Sequence, residues 1–214
     1  MKKIICVTLL LTMVLPGYSM ALRDGIGSGQ VPGFSKSWVD EDVDFREFDV
    51  IYLDRVDTEK VTVDVSDLNL DDYGDAESEY QLKKDVAYEM RKRFYDALEE
   101  VIPVVIDKSA IAGRKALILR LKLAGHAADT GLIENMLPGV EGRAAVVSVN
   151  GVLIDASSGK EVLTVADTYS ARISEKDVSL LGTSDMGVWH KAMDFWSDKL
   201  ALFLFRKFTG TAQE

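Results

Sequence analysis

The sequence predicts an α+β fold, a two-layer sandwich in which two main amphipathic helices cover one face of a mixed or antiparallel sheet of about five strands. Three observations lead there. From Ala116 to Ala124, Leu117, Leu119, Leu121 and Leu123 alternate with Ile118, Arg120 and Lys122. A strand built that way is apolar on one side and charged on the other, so its sheet is covered on one side only. Two segments, about 78–101 and from Ser184 to just before Gly210, instead repeat their apolar residues every three or four positions, the period of a helix with one buried stripe.

The chain opens with Met1-Lys2-Lys3, an uncharged and mostly apolar run from Ile4 to Leu15, then Pro16-Gly17-Tyr18-Ser19-Met20-Ala21. Two cations, an apolar stretch and small residues at the −3 and −1 positions make residues 1–21 a predicted export signal, cleaved after Ala21. Twelve residues rise about 18 Å as a helix, short of a bilayer's hydrocarbon core of roughly 30 Å. The expected location is therefore the periplasm, as a soluble protein with no membrane span after cleavage. Residues 22–46 hold Gly25, Gly27, Gly29 and Gly33 with Ser28 and Pro32, then the acidic run Asp40 to Asp44, and are expected to form a flexible spacer. Residues 47–210 form the expected single domain, and 211–214 a tail.

Within the domain, Phe48 to Leu53 reads as a first strand, and Lys60 to Val65, with Val61, Val63 and Val65 on one side, as a second or an extended edge. The first helix places Leu82, Val86, Met90, Phe94, Leu98 and Val101 on one stripe and is stopped by Pro103. Val104-Val105-Ile106 follows as a short buried strand, so strand, helix and strand succeed one another as in a crossover unit. After the leucine strand comes a long connection, Gly125 to Gly142. Ala144 to Asp155 and Glu161 to Arg172 then form a hairpin, with Asp155 bonding the turn backbone and Gly159 free to take positive φ. The last helix carries Trp189, Ala192, Met193, Trp196, Leu200 and Phe203 on its stripe. Ser184 or Asp185 can cap its start, Arg206 and Lys207 suit its negative end, and Gly210 marks its stop.

The chemistry is sparse. The single cysteine, Cys6, lies in the predicted signal, so the mature chain has no thiol, no disulfide and no cysteine for a lipid. With 35 acids against 25 bases the formal charge is −10, and loss of Lys2 and Lys3 takes it to −12, a surface that repels a phosphate backbone and argues against nucleic acid. Gly25-Ile26-Gly27-Ser28-Gly29 neither follows a strand nor opens a helix, so it is no nucleotide loop. Residues 69–80 resemble a calcium loop with Gly74 sixth, but Tyr73 and Tyr80 occupy ligand positions. His126 and His190 are the only histidines, and no local nucleophile or zinc pattern accompanies them. No cofactor, no metal and no catalytic residue is assigned.

Two features point toward contact with something else. Ala201-Leu202-Phe203-Leu204-Phe205 is apolar around the whole helix, which makes Leu202, Phe203, Leu204 and Phe205 a candidate partner contact. The 125–142 connection, with Asp129, Glu134, Glu141 and Arg143 close to its ends and centre, is a candidate functional loop, because connections that long in compact domains are often functional.

Several of these pieces together resemble the bacterial envelope family called domain of unknown function 3313, most of whose members are described as lipoproteins. The pieces are Pro32-Gly33-Phe34-Ser35, the strand Phe48 to Leu53, the helix 78–101 and the strand Ala116 to Leu123. Gly142-Arg143-Ala144-Ala145, the run Leu153 to Lys160 and the tryptophan-bearing helix Trp189 to Trp196 complete them. The resemblance implies an envelope protein and brings no catalytic residues. Many members begin with a lipid-bearing cysteine at the cleavage point, whereas this chain has Leu22 there, which favours a soluble form. The expected function is thus a non-enzymatic periplasmic or cell-envelope binding or accessory protein. Its expected partner is an envelope protein or a second copy of itself as a homo-oligomer. The alternative is an envelope carbohydrate or peptidoglycan hydrolase, cation-dependent in one version, which would need a concave site with a strongly shifted carboxylate near His126 or His190; both histidines and two acids lining one pocket would favour it.

Overall fold

The computed structural model describes residues 30–63, 76–128, 143–173 and 184–210. The predicted signal, residues 22–29 of the expected spacer, the calcium-like segment up to Asp75 and the 211–214 tail lie outside them. Among the described residues, seven strands and two long helices make the expected α+β fold, with two more strands than the sequence suggested. The elements are β1 (Lys36–Val39), β2 (Val50–Leu53), β3 (Asp57–Val63), α1 (Ala76–Glu99), β4 (Val104–Val105), β5 (Ala116–Ala128), β6 (Arg143–Asp155), β7 (Glu161–Ile173) and α2 (Ser184–Thr209).

The strands form one sheet in the order β1-β7-β6-β5-β2-β4, with β3 pairing β5 beyond the end of β2. It is mixed. β5, β6, β7 and β1 run antiparallel in succession, while β2 and β3 lie parallel to β5 and β4 parallel to β2. β2, α1 and β4 therefore form the crossover expected from their order. β4 stops at Val105, however, and Ile106, expected in a buried strand, is exposed.

β5 sets the two faces. Leu117, Leu119, Leu121 and Leu123 are buried beneath the helices, together with Ile51 and Leu53 of β2 and Leu153, Leu163 and Val165 of the hairpin. α1 contributes Val86, Met90, Phe94 and Leu98 to this core, and α2 contributes Trp189, Met193, Trp196, Leu200 and Leu204. Burial of this many large side chains, at roughly 1.5–3 kcal/mol each, is the main source of stability in a chain without disulfides. Arg91 on α1 donates to the carbonyl of Leu53 at 2.7 Å, which fastens the helix to the end of β2.

The leucine strand is longer than the sequence suggested. It runs through Gly125 to Ala128, because Gly125 is the seat of an indole and not a strand breaker. A Cβ built at Gly125 would lie 2.1 Å from Cη2 and 2.6 Å from Cζ2 of Trp189. Only glycine lets α2 approach that closely. Farther along the helix, the buried Trp196 donates its indole N–H to Asp167 of β7 at 2.8 Å, and the same carboxylate accepts the N–H of Ser35 at 3.3 Å.

The spacer expected over 22–46 is a correction where it is described. Val31 and Val39 are buried, and β1 pairs with Leu163 to Ala166 of β7. Pro32-Gly33 forms a turn with Gly33 at φ 91°, closed by the Phe34 N–H on the Val31 carbonyl at 3.3 Å. Asp40 is nearly buried and meets Lys160 at 2.5 Å. Single apolar residues act here as plugs, without the periodicity that betrays a strand. The hairpin is as expected. Asp155 accepts from the N–H and hydroxyl of Ser157 and the hydroxyl of Ser158, and Gly159 has φ 70°.

Two predictions follow from this packing. Gly125→Ala should cost about 1–3 kcal/mol in urea unfolding through overpacking, and Trp189→Leu in the same chain should remove most of the extra penalty. Equal stability of Gly125→Ala and the parent would contradict the contact. Burial raises the Asp155 pKa, but the hydrogen bonds from Ser158 and Ser157 outweigh it and hold the carboxyl below its ordinary 3.8. A depressed folded-state pKa stabilises above the unfolded value, and that contribution disappears as pH falls through the folded one. Asp155→Asn should therefore be less stable than the parent at neutral pH, and the gap should close below about pH 3.8.

Candidate interaction surfaces

Both long helices lie on one side, and neither covers the other face of the sheet; at its β2 end Val50 and Ala116 are nevertheless buried, and a 3-10 turn, Lys108–Ile111, packs on β2 and β4. Strand register builds it row by row. Tyr52 lies beside Ile118, and Ile118 faces Ile154. In the next row Arg120, Val152, Thr164 and Trp38 run across β5, β6, β7 and β1, and beyond it come Lys122, Asn150, Ala166 and Lys36. Trp38, Ile118, Val152 and Ile154 are half-buried, Tyr52 nearly buried, and Lys36, Arg120 and Lys122 exposed. One end of this face is thus apolar and its middle cationic, on a chain of formal charge −10.

Its border is organised by carboxylates. Asp54 lies 3.4 Å from Arg120 and accepts the Tyr52 hydroxyl at 3.2 Å. Burial, followed by the neighbouring Asp54 charge, pushes the Tyr52 phenol up. Asp57 sits 3.3 Å from Lys122, and its carboxyl is held low chiefly by the Glu59 N–H, with Lys122 adding to it against burial.

The second surface is the outer side of α2. The sequence grouped Leu202, Phe203, Leu204 and Phe205 as one partner contact, and the structure divides them. Leu202 and Phe205 are 47% and 46% exposed, whereas Phe203 and Leu204 are 5% and 0% exposed and belong to the core. Helical geometry separates them, since consecutive residues lie 100° apart around the axis. Phe195, 38% exposed, extends the outer stripe, and sequence reasoning missed it. Its spacing of seven residues before Leu202 was the available signal.

The third feature is a groove of about 580 Å³ between α1 and α2, lined by Glu89, Lys92, Arg93, Asp96, Glu100 and Asp194 among others. Arg93 pairs with Asp194 and lies 3.7 Å from Glu89, and Lys92 meets Asp96 at 2.7 Å. His190 sits at one end, with Nε2 3.8 Å from Glu89. Both histidines in one pocket would favour the hydrolase alternative; position 126 lies in β5, in register with Thr62 of β3 and Val146 of β6, and is not among the residues lining this groove. Among the described residues no three histidine, cysteine or acidic side chains gather as a metal site. Of the candidate loop, Asp129, Glu134 and Glu141 lie outside the described residues. Arg143 is not a loop residue but the first of β6, paired with Ile173, because the strand begins one residue earlier than its apolar pattern.

No helix among the described residues is long and apolar enough to cross a membrane. No family model and no curated protein matches the sequence. Solved structures of similar arrangement include the PelC dodecamer from Paraburkholderia phytofirmans, with 14% identity over 75% of this chain and 96% of that one, at a TM-score of 0.39. A homolog of neuraminyllactose-binding hemagglutinin from Helicobacter pylori has 12% identity over 75% and 88%, at 0.49. A minor lipoprotein from Acinetobacter baumannii has 7% identity over 72% and 94%, at 0.34. At these levels the likeness is confined to the arrangement of strands and helices.

Proposed function

We propose that this chain is an exported, non-enzymatic accessory protein of the bacterial cell envelope, and that it holds a protein partner against the open face of its sheet. The leader-like start and the thiol-free sequence that follows support export. One observation carries the docking role. Trp38, Ile118, Val152 and Ile154 form a half-buried apolar patch on the face that neither long helix covers, next to Lys36, Arg120 and Lys122. Antiparallel sheet faces left to water are normally polar, so an apolar end beside a cationic band suits a partner that offers apolar side chains and carboxylates.

Two measurements test this reading. Protein recovered from the periplasmic fraction should begin at Leu22 by mass spectrometry, and a cytosolic protein beginning at Met1 would remove the export step. A photo-reactive residue placed at Val152 in living cells should capture one discrete partner, while the same residue at the exposed Tyr88 of α1 should not. Combining Val152 with Arg120→Glu and Lys122→Glu should cut capture about tenfold or more by reversing the face's charge. Equal capture from both positions, or capture indifferent to the reversal, would contradict the assignment.

A further inference from the structure

The outer side of α2 faces away from the open sheet and carries a pattern that matches itself. Phe195, Leu202 and Phe205 are its exposed apolar residues, spaced seven and then three apart, so they share one stripe. One turn before Leu202 stands Asp198, and one turn after it stands Arg206. Asp194 on the same helix is paired with Arg93, and Asp44 with Arg46. Asp198 and Arg206 meet no ion-pair partner among the described residues, although Asp198 lines the groove between α1 and α2 with Lys92 and Arg93, and Arg206 a shallow cleft with Glu41, Asp42 and Asp44. Two opposite charges, equally distant from an exposed leucine, are left unused.

We propose that α2 pairs with α2 of a second copy of this chain, antiparallel, about a two-fold axis passing by Leu202. Such an axis sets position 202+n of one chain against 202−n of the other, because a two-fold interface is self-complementary. Leu202 then meets its own copy, Asp198 faces the partner's Arg206, and Arg206 faces the partner's Asp198. Parallel pairing in register would set aspartate on aspartate and arginine on arginine. The charges thus select orientation and register, the role that flanking charges have in helix pairs, while the three apolar side chains supply the contact. An anionic membrane is a poor alternative occupant, since Asp194 and Asp198 line the stripe and Asp96 and Glu100 lie in the adjoining groove. Three exposed apolar residues per chain make a small interface, so association is expected only above roughly 10 µM. This surface is separate from the open sheet face, and either assignment can fail without the other.

The test uses the mature, signal-cleaved chain. In sedimentation equilibrium the parent should show a monomer–dimer equilibrium. Asp198→Arg alone and Arg206→Asp alone should each weaken it about tenfold or more, and the double reversal should restore it. Leu202→Cys, in a chain otherwise free of cysteine after cleavage, should form a disulfide-linked dimer in air, whereas Lys191→Cys, away from the axis, should not. All four substituted positions are exposed or half-exposed, and circular dichroism should show unchanged folding. A parent that stays monomeric up to about 200 µM, a double reversal no stronger than either single change, or a stripe that instead carries the monomer onto anionic phospholipid vesicles would each overturn the proposal.

Discussion

The architecture depends on how closely α2 can approach the sheet. Trp189 lies where β5 has a glycine, and a single methyl group there would collide with the indole. Trp196, farther along the helix, is fixed by its N–H on Asp167, a carboxylate that also receives the N–H of Ser35. One shape constraint and one polar contact thus hold the final helix, β7 and the amino-terminal arm together. With α2 and α1 both committed to the same side, all the large leucines of β5 are satisfied there, and among the described residues no long helix covers the opposite face. The surface proposed for a partner is a by-product of where the indoles sit.

Charge is distributed in keeping with that division. The described ion pairs are mostly exposed, and pairs of that kind contribute about 0–1 kcal/mol each. They do little for stability and more for the character of each surface. β3 and β5 end together, and β6 begins and β7 ends beside them, so anchor residues of three long connections share one end of the sheet. Those connections, 64–75, 129–142 and 174–183, contain ten acidic residues and only Lys176 as a base. Much of the chain's excess negative charge therefore belongs to sequence anchored at that end. On the open face, the described acidic neighbours of Arg120 and Lys122 are Asp54 and Asp57.

How much of this was legible in the sequence varied with the strength of the local pattern. The four alternating leucines, both helices and the Asp155–Gly159 turn were readable because each obeys a single period or a single turn chemistry. β1 was not, since Lys36-Ser37-Trp38-Val39 is too short to show alternation and lies among glycines and acids that suggest a linker. β3 was legible as a second strand or an extended edge, over Lys60 to Val65, whereas it begins at Asp57. Its parallel pairing with β5, which depends on a register shift between Asp57 and Lys60, is a tertiary fact with no local signature. Gly125 was misread as the end of a strand because the residue that explains it lies 64 positions later in the chain. In the last helix, composition groups residues 201–205 together, and only the rotation of the helix against the sheet separates Leu202 and Phe205 from Phe203 and Leu204.

The central claim is that the bare sheet face is occupied when the protein is at work. Hydroxyl-radical footprinting tests it directly, by comparing the purified protein with the same protein in intact cells. Trp38 and Ile118 should be oxidised readily in isolation and protected in the envelope, while buried Trp189 and Trp196 stay unmodified in both. Equal oxidation of Trp38 and Ile118 in the two settings would mean that nothing covers the face, and the account of this protein as a docking module would fall.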